Sequence, residues 1–239
     1  MLKVITVTFD FGESKKYKEL HDVFLYSLEK NCPDAQWISN LLDEPPLNGQ
    51  VKGFITNTVK LMKWVEELKM CEFGDNVIFM DCDMLVLGDL KPAFKKNFDV
   101  AYTFRTQCKF PVNGGIIFVK VNEKSIVFFE RFLEVNNEML ADKEFHQYYR
   151  NIYAGMNQAA FGYMLEEESK IANLKPLPCK TWNVCDHYTE ALQNGARVLH
   201  IKGKLRQNIF ASQIQNDDLT GATEIWRQYK DEFYGSKKP

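Results

Sequence analysis

Three short apolar runs separated by two stretches of helical periodicity fill the first 80 residues, and this alternation most constrains the fold. Lys3 to Phe9 (KVITVTF) is β-branched, ends at Asp10-Phe11-Gly12, and is followed by a helix-like stretch from about Lys15 to Lys30. Ala35 to Ile38 reads as a second short strand. Asp43-Glu44-Pro45-Pro46-Leu47-Asn48-Gly49 can continue neither element and is expected to form a loop. From Ile55 to Met70 the residues Val59, Leu61, Met62, Val65 and Leu68 recur at helical spacing, and Gly74-Asp75 then leads into the strand Val77-Ile78-Phe79-Met80. The order β-α-β-α-β predicts an α/β fold, a mixed, mostly parallel central sheet flanked by helices.

The second half is less regular. Asp99 to Phe104, Val112 to Val121 and Ala196 to Ile201 read as strands, and Lys124 to Leu140, Gly155 to Leu165 and Thr223 to Phe233 as helices. With 239 residues, 45% of them hydrophobic, and neither an internal repeat nor a Gly/Ser-rich linker, one domain over 1–239 is expected, with two lobes meeting near residue 105. A net charge of -2 supplies no general attraction to nucleic acid or anionic lipid, so neither is an expected partner. No apolar run reaches the roughly 18 residues needed to cross a bilayer, and Met1-Leu2-Lys3-Val4-Ile5 runs into a strand without a signal-peptide pattern. The six cysteines include no C-x-x-C pair, which suits reduced thiols and a cytoplasmic location. Cys179, Cys185 and His187 do not have zinc-finger spacing.

The chemistry concentrates where the third strand ends, at Phe79-Met80-Asp81-Cys82-Asp83-Met84-Leu85-Val86. In extended chain, residues two apart face the same way, so Asp81 and Asp83 present two hard oxygen ligands to one crevice. With 14 aspartates in the chain a D-x-D triplet arises by chance about once, so position must carry the argument. A buried strand does not end in two repelling carboxylates unless a cation binds them or solvent reaches both.

The segment FMDCDMLVLGDL resembles the metal-binding segment of GT-A fold glycosyltransferases, in particular family 8 and its glycogenin branch. Other pieces follow in that family's order. Thr56-Asn57-Thr58-Val59-Lys60-Leu61-Met62-Lys63-Trp64 is similar to its T-K-L-x-x-W helix, Phe110 to Ile116 to its F-N-x-G-V with an insertion, and Leu177-Pro178 to Trp182-Asn183 to its L-P-x-x-Y-N. Asn157-Gln158 stands where Asp-Gln is usual, and His200-Ile201-Lys202-Gly203 matches H-x-x-G.

The resemblance implies a hexosyltransferase using a UDP-sugar, glucose or galactose favoured, and a manganese ion, with magnesium the alternative, held by Asp81, Asp83 and His200. It places the nucleotide lobe at 1–105, with Thr8, Phe9 and Asp10 at the base, and the donor-sugar and acceptor lobe at 106–239. Lys60, Cys82, Asn113, Gly114 and Asn183 join the donor site, and Gly203, Lys204 and Arg206 form a diphosphate clamp, with Arg206 where the family carries lysine. Asn157 and Gln158 fall at the reacting face of the sugar. An amide at 157 cannot act as a nucleophile, and no acid in 106–200 falls in a motif suited to a general base, so retention is expected. The acceptor is an unspecified carbohydrate, protein or lipid, and the oligomeric state stays open.

Several of these residues have plainer readings. Asn113-Gly114-Gly115 also has good hairpin-turn chemistry, and Lys202, Lys204 and Arg206 also describe an exposed basic turn. A haloacid-dehalogenase-like phosphatase shares the apolar strand followed by D-x-D, with Asn216-Asp217-Asp218 as later acids, but Leu85 stands where that family wants Thr or Val. A catalytically inactive carbohydrate-binding protein of the same fold is the non-enzyme alternative.

Overall fold

A computed structural model describes residues 1–10, 15–106, 108–185, 189–211 and 220–236. The chain forms two compact units, one of residues 1–11, 36–80 and 91–177, the other of 12–35, 81–90 and 178–239.

The first unit carries a six-stranded sheet among the described residues, in the order β2-β1-β3-β6-β5-β7. Its strands are β1 (Leu2–Asp10), β2 (Gln36–Asp43), β3 (Asn76–Met80), β5 (Val100–Phe104), β6 (Val112–Lys120) and β7 (Leu174–Pro178). β1 runs parallel to both β2 and β3, and β6 is antiparallel to β3 and β5. Helices α2 (Lys52–Lys69), α3 (Glu123–Ala141), α4 (Lys143–Tyr153) and α5 (Asn157–Glu166) belong to the same unit. One face of the sheet supplies Ile5, Val7, Val77 and Phe79 to a core filled by Trp64 and Leu68 of α2 and by Phe128, Phe129 and Phe132 of α3. The Trp64 and Phe79 rings stack with centroids 4.8 Å apart. Inside this apolar layer Asn136 donates through Nδ2 to Thr58 Oγ1 at 2.8 Å, a buried polar pin between α3 and α2. Asn122 and Ser125 close a reciprocal capping box at the start of α3, which is why that helix begins where it does.

The second unit holds α1 (Lys15–Asn31), β4 (Met84–Val86), α6 (Cys179–Trp182), β8 (Val198–His200), α7 (Gly203–Ile209) and α8 (Thr220–Gly235). β4 and β8 pair antiparallel, Met84 opposite His200, and the Ile201 N–H continues the ladder onto the Asp83 carbonyl at 2.7 Å. Polar residues of α1 satisfy the outer edge of β4. The Val86 N–H donates to Ser27 Oγ at 2.9 Å, and Asn31 Nδ2 donates to the Val86 carbonyl at 3.0 Å.

The strand expected over Val112 to Val121 is β6, and Asn113-Gly114-Gly115, whose chemistry would also suit a turn, lie inside it. The register between β5 and β6 breaks between Tyr102, opposite Ile117, and Thr103, opposite Asn113. Glycines that suit a turn also suit such an irregularity, where backbone and neighbour come close. β2 runs on to Asp43, past the predicted end at Ile38. Helix α4, β4, β7 and α7 were not expected from periodicity, and Gly203, Lys204 and Arg206, for which an exposed basic turn was the plainer alternative, lie in a helix.

Candidate active site

β3 ends at Met80, and the next three residues, Asp81, Cys82 and Asp83, open the second unit's stretch 81–90. Because β4 pairs with β8, the chain around Asp83 is tied to the chain around His200. Ligand oxygens of Asp81 and Asp83 and a ring nitrogen of His200 all lie within 4.8 Å of one another. His200 Nε2 is 3.4 Å from Asp83 Oδ1 and 4.0 Å from Asp81 Oδ2. Asp83 and His200 are buried, whereas Asp81 is half-buried.

The orientation of His200 is set from behind. Its Nδ1 lies 3.0 Å from Asn183 Oδ1, and an amide oxygen can only accept, so Nδ1 carries the proton. Nε2 thereby faces the two carboxylates. Two carboxylate oxygens and an imidazole nitrogen brought this close are a donor set that suits a divalent metal. The chemistry of the residues thus fits a metal held by Asp81, Asp83 and His200. Among the described residues no other group of three such side chains is arranged to hold one. His187 lies outside the described residues, as do Asn216, Asp217 and Asp218.

Asp83 has a second charged neighbour. Its Oδ2 accepts from Arg206 Nη2, while Arg206 Nε donates to the Ile201 carbonyl at 2.9 Å and Nη1 to the Tyr17 hydroxyl at 3.0 Å. Burial pushes the Asp83 carboxyl up, but His200 and the Arg206 guanidinium outweigh it and hold the group below the usual carboxylate range. Gly203 starts α7 at φ 56°, a left-handed conformation that favours glycine, and the neighbouring Lys204 is exposed.

The remaining predicted residues lie in the first unit. Thr8 and Phe9 are buried near the end of β1, and Asp10 is paired with Asp43 in the β1–β2 register. Lys60 sits on α2 with Nζ 4.9 Å from the centre of the Trp64 ring. A small pocket is lined by Trp64, Tyr102, Asn113, Gly114, Asn157 and Gln158 among others. Gln158 spends its amide on backbone: Nε2 donates to the carbonyls of Tyr153 at 2.7 Å and Val112 at 3.1 Å, and Oε1 accepts from the Gly114 N–H at 3.3 Å. A Cβ at Gly114 would stand 3.1 Å from Gln158 Cγ, so glycine permits the approach. Asn157 Nδ2 donates to the Asn57 carbonyl at 2.9 Å, whereas Asn157 Oδ1 and Trp64 Nε1 are buried without a hydrogen-bond partner.

Asp81, Cys82, Asp83, Asn183, His200, Gly203, Lys204 and Arg206 thus lie in one unit, and Thr8, Phe9, Asp10, Lys60, Asn113, Gly114, Asn157 and Gln158 in the other. Sequence reasoning missed Tyr17, for which no motif gives a signal, and the part played by Asn183 behind His200.

The fold is that of the GT-A class of proteins. The sequence makes the assignment direct: the nucleotide-diphospho-sugar transferase family model matches residues 56–203, and the chain belongs to that family. Solved structures share the fold at low identity. The glycosyltransferase GlyE of Streptococcus pneumoniae TIGR4 is 12% identical with a TM-score of 0.59 over 96% of this chain and 61% of its own. A glycosyltransferase involved in glycosylating the major capsid of PBCV-1 is 11% identical, TM-score 0.59, over 86% of this chain and 96% of its own. The galactosyltransferase LgtC, solved with donor and acceptor sugar analogues, is 10% identical, TM-score 0.58, over 96% of this chain and 95% of its own. The chain thus spans about three-fifths of the length of GlyE and nearly all of LgtC. No curated protein sequence matches it. Among the described residues no helix is long and apolar enough to cross a membrane.

Proposed function

We propose that the protein is a family 8-like glycosyltransferase that moves a hexose, glucose or galactose, from a UDP-sugar to a carbohydrate, protein or lipid acceptor with retention of configuration. The observation that carries the reading is the convergence of His200 Nε2 with the carboxylates of Asp81 and Asp83. A divalent ion bound there supplies charge neutralisation for the departing diphosphate, and an imidazole beside carboxylates favours manganese over magnesium. Lys204 and Arg206 lie in the same unit and supply positive charge for that diphosphate, with Lys60 a further candidate in the other unit.

On the donor side, Asn157 Oδ1 is an acceptor with no protein partner and suits a sugar hydroxyl. Gln158 holds Gly114 in place through Oε1 and so shapes the floor of the pocket. Thr8, Phe9 and Asp10 are assigned to the nucleotide base, Cys82 to the donor through its place between the two acids, and Asn113 to the donor sugar. The functional lobes at 1–105 and 106–239, and a cytoplasmic location, complete the reading. With an amide at 157, the departing phosphate is the proton acceptor for same-face attack.

The test is calorimetric binding of UDP with and without manganese, followed by a screen of sugar nucleotides for hydrolysis. Manganese-dependent UDP binding lost in folded Asp83→Asn supports the site; unchanged UDP affinity in that variant overturns it.

A further inference from the structure

Arg206 stands where the proposed function wants a free cation for the diphosphate, yet all three kinds of guanidinium nitrogen are already engaged. Nε is on the Ile201 carbonyl, Nη1 on the Tyr17 hydroxyl and Nη2 on Asp83 Oδ2. The guanidinium carbon also lies 5.5 Å from the centre of the Tyr17 ring, within cation–π range. A planar fork fixed at three points is oriented in a way that a lysine ammonium cannot be. The carboxylate it holds is divided in use, Oδ2 facing Arg206 and Oδ1 facing His200 Nε2 at 3.4 Å.

We propose that Arg206 is a resident counter-cation of Asp83, tethered by Tyr17, and that it makes metal binding depend on nucleotide. The inference rests on the metal reading above. A buried carboxylate needs a positive partner, and Arg206 supplies one when no divalent ion is bound. A divalent ion arriving alone then meets a fixed positive charge and a carboxylate with one oxygen committed. A divalent ion arriving with a diphosphate brings negative charge that offsets the guanidinium, so the two ligands bind with positive coupling. Arg206 and Tyr17 act here as positioning residues on Asp83.

The measurement is manganese binding by electron paramagnetic resonance of the free ion, on the full chain, with and without UDP. Arg206→Gln is expected to bind manganese alone at least about tenfold more tightly than the unaltered protein, because a unit charge beside the site has gone. The ratio of manganese affinity with UDP to that without should fall by a similar factor. Tyr17→Phe keeps the ring, loosens the fork, and is expected to tighten manganese binding alone about twofold. Wild-type or weaker affinity for manganese alone in Arg206→Gln, folded by circular dichroism, overturns the proposal. Should that variant not fold, unchanged affinity in Tyr17→Phe overturns it. If the unaltered protein binds no manganese even with UDP, the metal reading itself falls, and that result is visible before any variant is made.

Discussion

The Asn157 side chain donates through Nδ2 to the backbone carbonyl of Asn57 at 2.9 Å, so residue 157 faces an acceptor that a carboxylate could not satisfy. The amide is therefore built into the junction of α2 and α5. Asn157→Asp is expected to set a carboxylate against that carbonyl and destabilise the fold by about 1–3 kcal/mol, measured by urea unfolding. It is not expected to convert the enzyme to a covalent route. Proton NMR of the first-formed product should show the α anomer from the unaltered protein and from Asn157→Ala alike, and a β product would overturn retention.

Asn183 fixes the proton of His200 on Nδ1. Asn183→Ala should lower manganese affinity in the presence of UDP by roughly 10- to 100-fold, as loss of partners behind a metal-binding histidine does elsewhere. Asn183→Asp, which can still accept from Nδ1–H, should restore most of that affinity. Equal affinities in all three proteins would show that Asn183 does not orient the ring.

Gly162 of α5 packs directly under Tyr153, and a Cβ there would overlap the Tyr153 ring. Tyr153 cannot easily withdraw, because its hydroxyl donates to Glu166 at 2.7 Å. Gly162→Ala should therefore cost about 3 kcal/mol from overpacking, despite the better helix propensity of alanine. A stability within 1 kcal/mol of the unaltered protein, by denaturant titration, would show that the ring can move at about the cost of an ordinary repacking.

Burial pushes the Asp75 carboxyl up, but the Lys3 ammonium at 2.7 Å, the chain's amino terminus and the Glu72 N–H outweigh it and hold the group at about 2. A depressed folded-state value means stability that is present above the ordinary carboxylate range and lost as pH falls from about 4 through about 2. Asp75→Asn should lose roughly 1–2 kcal/mol at pH 5.5, after allowing for solvent screening, and almost nothing at pH near 2. Urea midpoints at the two pH values check this, and a gap that does not shrink on acidification would contradict it.

How far the fold and site were legible depends on where the information resides. Asp81 and Asp83 could be picked out because an apolar strand ending in two acids is locally inconsistent, and His200 through its glycine three residues on. Tyr17 could not, because its link to Arg206 joins residues far apart in the chain. The D-x-D strand and helices α1, α2, α3 and α5 follow from aliphatic periodicity. Helix α4 does not, because its buried side chains are His146, Tyr149 and Tyr153, which a search for aliphatic spacing passes over. At Asn113-Gly114-Gly115 the strand pattern of Val112 to Val121 prevails over local turn chemistry, with Asn113 paired to Thr103 of β5.

The pairing of β4 with β8 also governs when the chemistry can exist. Met84 meets His200 across more than about a hundred residues of chain, so closing this ladder is among the costliest entropic steps in folding. During synthesis Asp81 and Asp83 emerge long before their imidazole partner, together with the apolar Met84-Leu85-Val86 that β8 will later pair. Until residue 200 has left the ribosome the two acids have no site to belong to, and Met84-Leu85-Val86 is open to wrong partners. The proposed metal site is therefore a late product of folding, assembled in the same step that removes an aggregation-prone strand edge from solvent.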